Sequence, residues 1–178
     1  MKILYLLRHA KSSRDDPGLN DYDRPLAPRG IRACKLMTAH IQKVDIEPGL
    51  ILCSSARRAT ETYTHIADAF ANKPSVCVEE GLYLRDGQTL LIRLRDLGDQ
   101  VSSVMIIGHN PGLENLALAL SSGAETKSLT RMRGKYPTLG LASIEFVGEA
   151  WSTVGPGGGR LLDFVIPRDL EEQKEASL

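Results

Sequence analysis

Two histidines and several arginines stand at the ends of short apolar runs. Arg8-His9 follows KILYLL, Ser54-Ser55 with Arg57-Arg58 in the next turn follow LILC, and His109-Asn110 follow VMIIG. The polar segment DYDRPLAPRG adds Arg24 and Arg29. Each of these residues alone has an ordinary explanation, a backbone-satisfied loop histidine or a solvated arginine. Arg57 and Arg58, however, oppose the helix macrodipole if a helix starts there. Their convergence on one pocket is better explained by an anion. A phosphoryl group fits, because its doubly charged oxygens match the planar forks of arginine and its phosphorus can be attacked by a neutral imidazole nitrogen. One histidine can then serve as nucleophile while the other donates hydrogen bonds to the phosphoryl oxygens in flight. That chemistry requires no metal or cofactor.

These residues need a scaffold, and strand-like and helix-like segments alternate along most of the chain. Residues 2–7, 50–53, 76–78 and 101–107 read as strands. Residues 29–43 carry Ile31, Leu36, Met37 and Ile41 at near-helical spacing, and Ala59, Tyr63, Ile66 and Phe70 share a second helical face. Residues 87–97 form a further predicted helix. Asn110-Pro111 starts another, with Asn110 as its cap and Pro111 in its first turn. Residues 123–138 read as basic and irregular, and residues 141–147 and 160–166 as two strands joined by a turn containing GPGGG. The EEQKEASL tail reads as frayed or helical surface. Strand-helix alternation predicts a layered, mostly parallel α/β sheet with a C-terminal hairpin that adds antiparallel pairing. Ligands in such sheets bind beyond the carboxyl ends of strands, where the basic residues fall.

The 178 residues, 42% hydrophobic, suffice for one domain. Twenty-two basic and 22 acidic residues balance, so no overall field draws in nucleic acid or a membrane surface. LTRMRGK, a local basic stretch without interleaved aromatics, reads as a solvated loop near the site's mouth. No apolar run reaches the roughly 20 residues of a membrane span, and the N-terminus lacks a signal-peptide pattern, which predicts a cytoplasmic protein. Cys34, Cys53 and Cys77 lack metal or redox spacing and are expected to be reduced packing residues.

LRHAKS, DRPLAPRG, SSARRATET, EGLY and GHNPGLE, in this order, resemble the histidine phosphatase superfamily, and within it the small SixA-like phosphohistidine phosphatases. The motifs run from residue 4 to about 116, and KYPTLGLASIEF is similar to a later strand of that branch. The resemblance implies a three-layer α/β/α sandwich around a mostly parallel central sheet, phosphoglycerate mutase-like, forming one domain over 1–178. It implies that His9 is the phosphorylated nucleophile, with Arg8, Arg58 and His109 completing the catalytic set and Arg24 making a further phosphate contact. The family's spacing selects Arg58 over Arg57, which is left to solvent or to a remote substrate charge. Ser12 is a candidate phosphate ligand or turn residue, and Thr62 a support for Arg58.

Ester-cleaving members of the superfamily use a carboxylate to protonate the departing alkoxide. In EEGLYLRDG, Glu80 is the candidate acid or a buttress for a pocket arginine, and Asp86 a second candidate, but neither stands clearly in the acid's place. A phosphoramidate needs less help, because imidazole leaves as a neutral ring. The expected activity is therefore a metal-independent phosphatase with a phosphohistidine intermediate acting on a phosphohistidine protein. The alternatives are a phosphomonoester phosphatase of a small metabolite and a non-catalytic phosphate-binding module. Cys53 to Arg58 is too short for a cysteine-phosphatase loop, and Asp21-Tyr22-Asp23 follows a turn rather than the buried strand an aspartyl phosphatase would use.

Overall fold

The computed structural model describes residues 1–122, 126–148 and 150–176. Seven strands form one sheet: β1 (Lys2–Arg8), β2 (Leu50–Ser54), β3 (Ser75–Glu79), β4 (Ser103–Gly108), β5 (Ser121–Ser122), β6 (Leu141–Phe146) and β7 (Gly159–Val165), in the spatial order β3-β2-β4-β1-β6-β7-β5. Six helices accompany them: α1 (Pro28–Lys43), α2 (Arg57–Ile66), α3 (Gly87–Arg95), α4 (Gly112–Leu120), α5 (Lys127–Gly134) and α6 (Pro167–Glu175). β1, β2, β3 and β4 pair in parallel. β6 opposes both of its neighbours, β1 and β7, so β7 again runs in the direction of β1, with β5 parallel to it. The expected C-terminal hairpin is therefore present, and a single reversed strand produces its antiparallel character.

The two-residue period of a strand decides which residues meet which helices. Leu4 and Leu6 of β1, with Val104 and Ile106 of β4, pack against Leu91 and Leu94 of α3 and Leu113 and Leu116 of α4. Tyr5 and Leu7, with Met105 and Ile107, pack on the opposite face against Cys34, Met37 and Ile41 of α1 and Ala59 and Ile66 of α2. The central strands are apolar on both faces because both are covered, which gives the expected three-layer α/β/α arrangement.

Three local expectations are corrected. The basic stretch at 123–138 contains α5, which the Thr126 side chain caps by accepting the Leu129 amide, and which buries Leu129 and Met132. Residues 123–125 lie outside the described residues. Asn110 does not cap α4: its peptide bond to Pro111 is cis, and its side chain donates to Glu114 and to the Tyr136 carbonyl. Cys77 is exposed on edge strand β3, whereas Cys34 and Cys53 are buried and burial pushes both thiols up to about 12. Among the described residues no helix is long and apolar enough to cross a membrane.

Candidate active site

The order β2-β4-β1 sets three strand ends side by side, and each delivers what its motif promised. Beyond β1, the His9 amide donates to the Gly108 carbonyl of β4, so the two histidine-bearing loops leave the sheet joined. The His9 and His109 rings lie 5.1 Å apart between centroids. Arg58 enters from the first turn of α2 and is buried. Thr62, one helical turn later, donates to the Arg58 carbonyl at 2.6 Å and accepts the Ala10 amide at 2.9 Å. A single hydroxyl thus ties the helix carrying Arg58 to the loop carrying His9, which is the support expected of Thr62. On the other side, α1 begins so close to this loop that a Cβ on Gly30 would collide with the Lys11 carbonyl.

A hydrogen bond to a carbonyl fixes the tautomer of His9. His9 Nδ1 lies 2.7 Å from the Ala10 carbonyl, which can only accept, so Nδ1 carries the proton and Nε2 presents its lone pair. That lone pair accepts the Arg58 Nε hydrogen at 3.2 Å. Burial, with the positive surroundings of His109, Arg58 and Arg8, draws the His9 imidazole down to about 3 and keeps it neutral. Burial and then the charge of Arg58 draw His109 down to about 4. The Ser54 hydroxyl accepts the Ala56 amide and lies 2.7 Å from His109 Nε2, where it can either donate or accept. His109 Nδ1 is buried with no hydrogen-bond partner among the described residues, and in the tautomer that carries the proton there it is a donor for an oxygen in the cleft.

The arginines surround these rings. Arg8 donates from Nη1 to the Tyr136 carbonyl at 2.8 Å, and its Nε is buried without a hydrogen-bond partner among the described residues. Arg24 donates from Nε to the Ser13 carbonyl, from Nη2 to Ser12 Oγ at 2.6 Å and from Nη1 to Asp21 Oδ1 at 2.8 Å. Arg58 Nη2 donates to Asp21 Oδ2 at 2.9 Å, and Tyr83 OH donates to the same oxygen at 2.7 Å. Burial works against ionisation of Asp21, but hydrogen bonds from Tyr83 and Arg24 and the charge of Arg58 outweigh it and draw the carboxyl down to about 2. Asp21 is thus the anion that two cleft arginines hold. Tyr83 completes this wall, its ring edge-on to His109 with 5.4 Å between centroids.

Arg8, His9, Ser12, Arg24, Arg58 and His109 all line one cleft of about 330 Å³. Glu80 does not: it is exposed, and the carboxylate that engages an arginine is its neighbour Glu79, paired with Arg93 outside the cleft. Glu79 is the last residue of β3 and Glu80 opens the 3-10 turn that follows, so a shift of one position changes the assignment. Asp86 does not line the cleft either: it caps α3 by accepting the Thr89 amide. Arg57 is exposed and paired with Glu61, and Arg29 lines a neighbouring groove instead of the histidine cleft. Sequence reasoning missed Asp21, Tyr83 and Ser54 as members of the site. The DYDRPL and EGLY motifs held a signal for the first two.

Comparison with known proteins agrees with this geometry. The family model described as the histidine phosphatase superfamily (branch 1) matches residues 4–83. An uncharacterized protein of Mycobacterium tuberculosis is 37% identical over 169 residues, covering 91% of this chain and all of that one. An uncharacterized chloroplastic protein of Arabidopsis thaliana is 34% identical over 178 residues, covering 92% of this chain and 77% of that one. Among solved structures, a provisionally assigned phosphohistidine phosphatase SixA from Agrobacterium tumefaciens superposes with a TM-score of 0.78 at 28% identity, over 93% of this chain and 98% of that one. The protein histidine phosphatase SixA complexed with tungstate shares the fold, with a TM-score of 0.76 at 23% identity over 94% of this chain and 99% of that one. The family match, the similar SixA structure and the histidines set among clustered arginines agree: the chain is a phosphatase of the histidine phosphatase superfamily.

Proposed function

We propose that the protein removes phosphoryl groups from phosphohistidine on a protein substrate, through a phosphohistidine intermediate on His9. The observation that carries the substrate preference is the state of Asp21. It is the one carboxylate lining the cleft among the described residues, and with its carboxyl at about 2 it has no proton to give an alkoxide near neutral pH. A phosphoramidate does not depend on such a donor. Once protonated from solvent on its free nitrogen, the substrate imidazole leaves as a neutral ring.

In this reading the P–N bond of the substrate breaks as the His9 Nε2–P bond forms. Arg8, Arg24 and Arg58 bind the phosphoryl oxygens, with Ser12 beside them, and His109 donates its Nδ1 hydrogen to the charge that develops there. His9 keeps its Nδ1 proton throughout, so the phosphorylated ring carries positive charge that the Ala10 carbonyl stabilises. That charge also makes the ring a good leaving group when water attacks the phosphorus, releasing inorganic phosphate and restoring neutral His9. Because Arg58 Nε occupies the attacking lone pair, the incoming oxygens must first draw the guanidinium aside.

The test is a comparison of kcat/KM on a phosphohistidine protein and on a panel of phosphomonoesters, under identical conditions. Turnover of the phosphohistidine protein at least tenfold faster is expected. Faster turnover of the esters would overturn the substrate preference and favour a metabolite phosphatase, and failure of both with intact folding would favour a phosphate-binding module.

A further inference from the structure

A second groove of about 380 Å³ opens beside the histidine cleft and shares Arg8, Lys11 and Thr138 with it. Its walls are the start of α1, the segment after α5 and the start of α6, and its basic residues are Arg8, Lys11, Arg29 and Lys135. Ala33, Pro137, Leu139 and Pro167 line it between those charges, and Glu171 is the one carboxylate among the described lining residues.

What sets these cations apart is that they face one concavity. Lys11, Arg29 and Lys135 form no ion pair or side-chain hydrogen bond among the described residues. Like charges are gathered here: burial and the nearby charges of Arg29, Arg14, Arg8 and Arg24 all push the Lys11 ammonium down. In a chain with no net charge, such a local excess costs stability unless something offsets it. Arg8 joins the two cavities, so an anion in the groove and a phosphoryl group in the cleft would flank one guanidinium.

We propose that this groove binds a second anionic group, carboxylate or phosphate, carried by the same substrate whose phosphoryl group enters the histidine cleft. The groove's apolar lining suits the short carbon linker between them. The proposal rests on the phosphatase reading of the cleft and adds a charge requirement to its substrate.

Binding of matched, non-hydrolysable phosphonates tests the groove without turnover. Calorimetric titration compares phenylphosphonate with 3-carboxy- and 4-carboxyphenylphosphonate, on the wild-type protein and on the double variant Arg29→Gln, Lys135→Gln. Both side chains are exposed on the groove wall, so the fold is expected to survive, which a melting curve checks. The wild type is expected to prefer at least one carboxylated ligand by about tenfold, the scale of one charge-assisted contact, and the double variant to lose that preference while binding phenylphosphonate unchanged. Equal wild-type affinity for all three ligands, or a preference that persists in the folded double variant, overturns the proposal. Turnover of phosphohistidine peptides with glutamate or glutamine beside the phosphohistidine then separates the sources. A glutamate preference lost in the double variant supports an anion supplied by a protein, and a preference confined to the phosphonates supports one supplied by a small molecule. A protein that binds the carboxylated phosphonates as expected but turns over no phosphohistidine peptide would retain the groove and lose the phosphohistidine reading.

Discussion

Asp21→Asn separates two consequences of the same carboxylate. In the folded protein Asp21 is held by Arg24, Arg58 and Tyr83, and its carboxyl moves from 3.8 to about 2. That displacement is formally worth about 2.4 kcal/mol. The side chain is 47% exposed, however, so solvent screening reduces the contribution to ~1 kcal/mol. Because the carboxyl is lowered on folding, the stabilisation is present above about pH 3.8 and lost as pH falls to about 2. Asp21→Asn should therefore melt roughly 2–4 °C below wild type at pH 7, with the gap closing on acidification through that window. Binding should change in the opposite direction. With one negative charge removed beside the arginines, inorganic phosphate should inhibit roughly five- to thirtyfold more tightly at low ionic strength, the effect of 1–2 kcal/mol from a screened charge, and the gain should shrink in high salt. kcat should fall about tenfold, because Arg58 loses the partner that orients it against His9. The assay measures phosphate inhibition and turnover at two ionic strengths, beside thermal melts from pH 7 to pH 2. Unchanged or weaker phosphate inhibition in a folded variant would refute the idea that Asp21 competes for these arginines.

His9→Ala is expected to reduce turnover by at least a thousandfold and to abolish the acid-labile phosphoenzyme seen after a rapid quench, while melting within a few degrees of wild type. kcat/KM, corrected for substrate ionisation, should hold from pH 7 to about pH 5, because His9 and His109 stay neutral until about 3 and 4; a decline centred near 6.5 would show ordinary imidazoles. The same two groups take up protons in the unfolded chain below about 6.5 but resist them in the folded one, so stability should fall as pH drops from about 6.5 to about 3 in urea titrations. Gly30→Ala should cost about 1–3 kcal/mol and raise KM, since the new methyl meets the Lys11 carbonyl at the cleft. EDTA should leave the rate unchanged, as Arg8, Arg24 and Arg58 supply the positive charge; restoration of a lost rate only by divalent metal would contradict the mechanism.

The legible part of the site lies where the chain leaves the sheet. His9, Arg58 and His109 could be found because each follows an apolar run that can only be a buried strand, and strand ends are where an open sheet binds ligands. Ser12 and Arg24 were recoverable from their motifs and do share the cleft. Asp21 was not, because its position depends on the path of a polar loop with no periodicity, and its proximity to aspartate and tyrosine neighbours suggested a different chemistry. Glu80 misled for a different reason, since β3 ends at Glu79 and Glu80 opens the turn after it, a boundary the sequence does not mark. α5 escaped notice because only Leu129 and Met132 carry its buried face, too few to establish a helical period. The Asn110 cap was reasonable from local preferences, but tertiary contacts with Glu114 and Tyr136 claimed its amide.

The bond from His9 Nδ1 to the carbonyl of the very next residue has one more consequence. It makes the tautomer of the nucleophile a property of two consecutive residues at the tip of β1, independent of the loops that form the rest of the cleft. Leu84 and Thr138 come from two other connections and can vary in size without changing which nitrogen attacks. The arrangement separates the choice of attacking atom from recognition at those walls, so selection acting on them can exchange one phosphorylated partner for another while the reacting atom stays where the sheet holds it. Evolvability of this kind follows from a hydrogen bond that spans a single peptide unit.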